Sequence, residues 1–150
     1  MRKIIPFSIF LLSVSFTFGQ QLNPVKWTQT VQKVSENEYD IVFTANVEDG
    51  WYVYSQFLEG DNGPIPTSFN FNSNDQIEFI GKTKETGKKK AGYDEMFMMD
   101  VVKFGGKVTF TQRVKTSASS TNVSGYLEYM TCDNERCLPP AAVDFSLDLQ

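Results

Sequence analysis

Runs of alternating apolar and polar residues, cut at short intervals by turn-forming clusters, place the strongest limit on what this chain can fold into. Tyr39, Ile41, Phe43, Ala45 and Val47 alternate with positions that include Asp40, Thr44 and Asn46. Val108, Phe110, Gln112 and Val114 alternate with Lys107, Thr109, Thr111 and Arg113, and Val143, Phe145, Leu147 and Leu149 repeat the pattern near the C-terminus. A period of two sends successive side chains to opposite faces of a strand, so each run predicts a strand with one buried face. Glu48-Asp49-Gly50, Gly60-Asp61-Asn62-Gly63-Pro64, Asn72-Ser73-Asn74-Asp75, Gly105-Gly106 and Ser117 to Asn122 supply turn chemistry between the runs. No stretch sustains a helical period. Short strands separated in this way predict an all-β chain, an immunoglobulin-like antiparallel β-sandwich.

The N-terminus stands apart from this pattern. Arg2 and Lys3 precede a largely apolar stretch from Ile4 to Phe18, and Gly19, with Thr17 two positions before it, offers a small-residue cleavage point. A secretory signal peptide over residues 1–19 is the expectation. The stretch is about 15 residues, short of the roughly 20 that a spanning helix requires. Residues 20–150 then form one domain with no repeat, no linker and no second apolar span. The leader holds two of the 14 basic residues and none of the 18 acidic ones, leaving 12 against 18 and a net charge of −6. That balance opposes nucleic acid and anionic membrane as partners, and no stable membrane insertion is expected after cleavage. Export brings the chain into an oxidising compartment, where a disulfide persists.

Histidine is absent from the chain. Ser-His and Cys-His hydrolytic machinery is therefore excluded, as are histidine-based zinc and copper sites. What remains is chemistry of thiols, carboxylates, tyrosines and backbone groups. The two cysteines, Cys132 and Cys137, enclose Asp133-Asn134-Glu135-Arg136 and precede Leu138-Pro139-Pro140. A strand over Val123 to Thr131 would deliver Cys132 to its end, the chain would turn, and Cys137 would begin the return toward a strand at Ala142–Leu149. Such a pair can meet the separation a disulfide needs. A loop this short gives a crosslink only roughly 2 kcal/mol of chain-entropy stabilisation. Spacing alone leaves a structural staple and a redox dithiol equally open. Arg136 would favour a thiolate while Asp133 and Glu135 would oppose it, so exchange would rely on a partner that aligns the sulfurs.

Two further segments carry candidate chemistry. Asp49-Gly50-Trp51-Tyr52-Val53-Tyr54-Ser55-Gln56 alternates so that Trp51, Val53 and Ser55 share one face and Tyr52, Tyr54 and Gln56 the other. It is either sandwich packing or an aromatic wall of a site. Gly92-Tyr93-Asp94-Glu95-Met96-Phe97-Met98-Met99 sets two carboxylates before four soft or aromatic side chains, a composition suited to a lid over a reactive group. Methionines near cysteines also raise copper(I) as a minor rival, through soft thioether and thiolate ligands. Lys88-Lys89-Lys90 reads as a solvated loop.

Together these three segments resemble the N-terminal periplasmic domain of the thiol:disulfide interchange protein DsbD, the disulfide bond corrector domain. The resemblance covers essentially all of the mature chain and rests on Asp49 to Tyr54, Asp94 to Phe97 and Cys132 to Pro140. It implies an immunoglobulin-like sandwich with Cys132 and Cys137 as the redox pair on neighbouring strands. Cys137 would form the mixed disulfide with partners and Cys132 would resolve it. Tyr52 and Tyr54 would line the site, Asp94 and Glu95 would be its acidic neighbours, and Met96 and Phe97 would form a cap loop over the sulfurs. Four residues separate the cysteines here, where the best-known members have five. The implied activity is a periplasmic protein-disulfide reductase, a thiol:disulfide oxidoreductase with no cofactor and no metal. Its implied partners are thioredoxin-like periplasmic proteins and a membrane-embedded thiol electron transporter. An immunoglobulin-like binding domain with a purely structural disulfide is the alternative.

Overall fold

The computed structural model describes residues 22–59 and 62–150. The expected signal peptide, and Gly60 and Asp61 of one expected turn, lie outside them. Nine strands follow in chain order: β1 (Val25–Lys33), β2 (Glu38–Val47), β3 (Tyr52–Tyr54), β4 (Ser68–Phe71), β5 (Ile77–Asp94), β6 (Met99–Thr116), β7 (Thr121–Tyr129), β8 (Thr131–Cys132) and β9 (Ala141–Leu149). All their pairings are antiparallel, and the described residues contain no helix. One sheet runs β1-β2-β6-β3-β8, with β5 on the other edge of β6, and a second sheet runs β4-β7-β9.

The alternating runs form the strands expected of them, and their apolar faces meet between the sheets. Ile41, Phe43 and Ala45 of β2 and Val108, Phe110 and Val114 of β6 are wholly buried. Across the gap, Phe43 stacks on Phe69 of β4 at 4.7 Å between centroids and on Phe145 of β9 at 4.9 Å. These tilted and edge-on contacts are the arrangements aromatic quadrupoles favour. Gln112 continues the buried series of β6 without an apolar side chain. Thr83 donates to its Oε1 at 2.8 Å, and its Nε2 donates to the Arg113 carbonyl at 2.8 Å, so its polar atoms are satisfied.

Two expected loops are strand instead. Gly105-Gly106 lies within β6, where the register against β5 steps from Gly87↔Val108 to Lys88↔Gly105. Gly106 takes a φ of 68° and absorbs this bulge without a turn. Above the bulge β6 pairs with β3, and below it with β2. Lys88, Lys89 and Lys90 belong to β5 rather than to a loop. They are solvated as expected, but β5 is an edge strand, where lysines deter pairing with another chain.

The expected strand from Val123 to Thr131 is also divided. β7 ends at Tyr129 in the second sheet, and Thr131–Cys132 forms β8 at the edge of the first. The chain changes sheet at Met130, makes one tight turn, and returns to the second sheet as β9. Pro139 and Pro140 have no N–H to donate, so the return leg cannot extend its pairing with β8.

Gly125 lies opposite both Phe71 and Phe145, at the centre of the second sheet. A Cβ there would collide with the Asn70 carbonyl oxygen and come within 2.9 Å of the Phe145 ring. Gly125→Ala is expected to lower stability by about 1–3 kcal/mol, the usual range for overpacking, read as a lower urea midpoint. An unchanged midpoint would show that the strands part without cost.

Candidate redox site

Strand register decides which side chains share the outer face of the first sheet. Tyr52 lies opposite Cys132, and Tyr54 opposite Lys103. Directly opposed residues, and residues two apart, project to the same side. Tyr52, Tyr54, Cys132, Lys103 and Val101 therefore line one face, while Val53 and Phe104 enter the main core on the other. Trp51 joins that core too, as its alternation with Tyr52 requires.

The cysteines sit at the neck of a small hairpin. The Asp133 N–H donates to the Arg136 carbonyl at 3.0 Å, and the Leu138 N–H to the Thr131 carbonyl at 2.9 Å. These bonds flank the Cys132↔Cys137 bridge, making it a non-hydrogen-bonded pair, the kind whose side chains approach most closely. The sulfurs form a disulfide with the Cα atoms 4.0 Å apart. Asp133 shapes the four-residue turn: its Oδ1 accepts the N–H groups of Glu135 and Arg136, each at 2.8 Å. Those two hydrogen bonds hold its carboxyl below the usual carboxylate range. The sulfurs differ in access. Cys132 is 2% exposed, packed with Tyr54 and Val101, whereas Cys137 is only half-buried.

The expected cap is the tip of the β5–β6 hairpin. Glu95 to Met98 turn the chain, and Met98 adopts a φ of 53°. Asp94 anchors this tip: its Oδ1 accepts the Met96 N–H at 3.1 Å, and its Oδ2 accepts Lys103 Nζ at 2.7 Å. Burial pushes the Asp94 carboxyl up, but the hydrogen bond and charge of Lys103, with the N–H groups of Met96 and Phe97, outweigh it and leave it below the usual range. The Phe97 ring meets the Tyr54 ring edge-on at 5.8 Å and packs against the buried cluster of Tyr54, Val101 and Cys132. Met96 Sδ lies 3.3 Å from Cys137 Sγ. A disulfide sulfur carries no proton, so this is a contact between two sulfur atoms and not a hydrogen bond. Burial, with the charge of Asp94 adding to it, drives the Tyr54 phenol far above its ordinary range, so Tyr54 is a neutral wall.

The structure thus brings Tyr52, Tyr54, Asp94, Met96 and Phe97 together around Cys132 and Cys137. Glu95 is the outlying member, exposed on the tip beside Asp94. A groove of about 390 Å³ runs from the tip to the cysteine turn, lined by Lys90, Tyr93, Asp94, Met96, Lys103 and Asn134 among others. A second, of about 640 Å³, lies along Tyr129, Leu138, Pro139, Pro140 and Ala142. Sequence reasoning missed Lys103 and Lys90, whose ammonium groups lie 4.8 and 5.2 Å from the Tyr52 ring centroid. It also missed Leu58, Val101 and Met130, which pack about the disulfide. Only strand pairing places them there. Among the described residues no group of three or more His, Cys, Asp or Glu could hold a metal ion.

The family described as "Thiol:disulfide interchange protein DsbD, N-terminal" matches residues 20–149. The fold is similar to a crystal structure of the N-terminal domain of DsbD from Neisseria meningitidis in its reduced form, at 16% identity and a TM-score of 0.51. That match covers 81% of this chain and 83% of the other. It is also similar to the N-terminal periplasmic domain of ScsB from Proteus mirabilis, at 18% identity and a TM-score of 0.51, covering 81% of this chain and 44% of the other. No curated protein matches the chain.

The Asp94 anchor makes the cap sensitive to acid. Because the folded carboxyl ionises at lower pH than an unfolded one, its contribution is complete above about pH 4 and is lost as pH falls through the depressed folded value. Reduction of the disulfide by a water-soluble phosphine should accelerate over that window. Asp94→Asn should show the faster rate already at neutral pH, by several-fold. An Asp94→Asn protein reduced at the wild-type rate would show that the ion pair does not hold the cap.

Proposed function

This chain belongs to the family of DsbD N-terminal domains of thiol:disulfide interchange proteins, and we propose that it works as a periplasmic protein-disulfide reductase fed by a separate electron donor. The observation that carries this reading is the unequal burial of the two sulfurs: Cys137 is reachable at the hairpin neck and Cys132 is enclosed beneath it. In the reduced protein the Cys137 thiolate attacks one sulfur of a partner disulfide. A mixed disulfide forms and the partner's second sulfur leaves as a thiolate. Cys132, as thiolate, then attacks Cys137 Sγ and expels the partner's first sulfur. The partner gains two electrons and two protons, and the Cys132–Cys137 disulfide is restored.

The surrounding residues act on access and orientation. Tyr54 and Phe97 exclude water and small thiols from Cys132, Asp94 and Lys103 fix the hairpin tip, and Met96 covers Cys137. Tyr52, held beneath Lys90 and Lys103, forms the floor beside the pair, and Glu95 gives the tip an exposed negative charge. A partner that displaces the tip reaches Cys137 first. Thioredoxin-like periplasmic proteins suit this role as acceptors, and a membrane-embedded thiol electron transporter as donor. Residues 1–19 serve as the cleaved signal that brings the domain to the periplasm. No helix among the described residues is long and apolar enough to cross a membrane.

Cys137→Ser is expected to abolish exchange with thioredoxin-like proteins. Cys132→Ser, which keeps the attacking sulfur and lacks the resolving one, should accumulate mixed disulfides visible on non-reducing gels of envelope extracts. The reading is lost if neither variant captures a partner and a Cys132→Ser/Cys137→Ser double variant leaves envelope thiol balance unchanged.

A further inference from the structure

We propose that the reduced site also binds one copper(I) ion, held by the Cys132 and Cys137 thiolates and the Met96 thioether. Three sulfur atoms from two hairpins converge here. Two are joined in the disulfide, and Met96 Sδ touches the exposed one at 3.3 Å. Reduction breaks the S–S bond while the backbone bonds on either side of the Cys132↔Cys137 bridge still hold both side chains on one face. The product is a dithiol facing a thioether, a purely soft donor set.

The chemistry of that set selects the ion. Thiolate and thioether ligands favour copper(I), whereas zinc takes four nitrogen, oxygen or thiolate donors in a tetrahedron. This site has two thiolates and no histidine to complete such a set. Of the neighbouring carboxylates, Asp94 is committed to Lys103 at 2.7 Å and Asp133 to the N–H groups of Glu135 and Arg136. Tyr54 and Val101 form a buried apolar cluster with Cys132, and Leu58 and Phe97 pack against it, so the Cys132 side of the site is apolar, which favours a monovalent ion with few ligands. Met99 and Met130 stand in the same cluster as reserve thioethers.

Binding exchanges two thiol protons for one copper(I) ion and moves no electrons. The disulfide form has no thiolate to offer, so only the reduced protein takes the metal, and bound metal masks the Cys137 sulfur. This inference does not rest on the exchange reading. It requires only that the pair can be reduced chemically.

The test is an anaerobic copper(I) titration of the exported protein, reduced with dithiothreitol and freed of it, against the chromophoric chelator bathocuproine disulfonate. One copper(I) per chain is expected. Cys132→Ser and Cys137→Ser should lose it, Met96→Leu should bind roughly 10–100-fold more weakly, and zinc(II) should compete poorly. Near-ultraviolet circular dichroism of Met96→Leu establishes that the variant is folded, and Met96→Ala repeats the measurement with a shorter side chain. Folded Met96 variants that bind copper(I) as tightly as wild type would overturn the proposal, as would zinc(II) binding of equal strength. Disulfide exchange by metal-free wild-type protein, measured in parallel, separates failure of this inference from failure of the redox reading.

Discussion

The two-residue pairing of β8 with β3 is the interaction on which the site depends. Through it Cys132 reaches the outer face of the first sheet opposite Tyr52, and the Thr131 hydroxyl reinforces the join by donating to the Tyr52 carbonyl at 2.9 Å. Without this pairing the chain after Tyr129 would continue along the second sheet, and Cys132 would have no neighbour on β3. Two residues of ladder are few, so the segment borrows rigidity from elsewhere. The disulfide closes its neck, the Asp133 carboxylate organises its turn, and the prolines send it back into β9.

A long hairpin solves the complementary problem of covering the sulfurs. β5 and β6 each run 18 residues, far past the end of β2, and their tip reaches the cysteine turn from the far side of β3. The glycine bulge in β6 allows one strand to serve both neighbours, pairing with β2 in the core and with β3 at the site. The same hairpin gathers positive charge. Nine of the chain's 14 lysines and arginines lie in β5 and β6, against four of its 18 acidic residues. The cap thus sits on the basic arm of an acidic protein, and acidic surfaces on a partner would be steered toward it at low ionic strength.

Much of the fold could be read from periodicity, because a half-buried strand writes its burial directly into the sequence. That worked for β2, β9 and the core half of β6. It failed where a strand has no buried face to alternate: β5 is exposed along most of its length, so its lysines looked like a loop. It failed again at Gly105-Gly106, since the same dipeptide suits a turn or a bulge and only the partner strand decides. At the site, the residues that carry distinctive chemistry were readable, whereas Lys103, Val101 and Leu58 were not. An ordinary lysine or valine becomes part of a site only through pairing across dozens of residues. The resemblance to a known family supplied the grouping of three separated segments that the residues alone did not.

The cap is held by modest forces, and that modesty has a functional meaning. Phe97 is partly buried and Met96 is 41% exposed, so lifting both from the disulfide gives up on the order of 1–3 kcal/mol of apolar burial. With 1.4 kcal/mol per factor of ten, the open state is populated at roughly one part in ten to one in a hundred. On the proposed exchange reading, a small thiol, which makes few contacts, would react only with that fraction and be slowed accordingly. A folded partner can recover the same few kcal/mol by packing its own apolar surface against Tyr54 and the exposed disulfide edge. A cap held in this way would discriminate by the size of the contact surface more than by chemical reactivity, using one aromatic ring, one thioether and one ion pair.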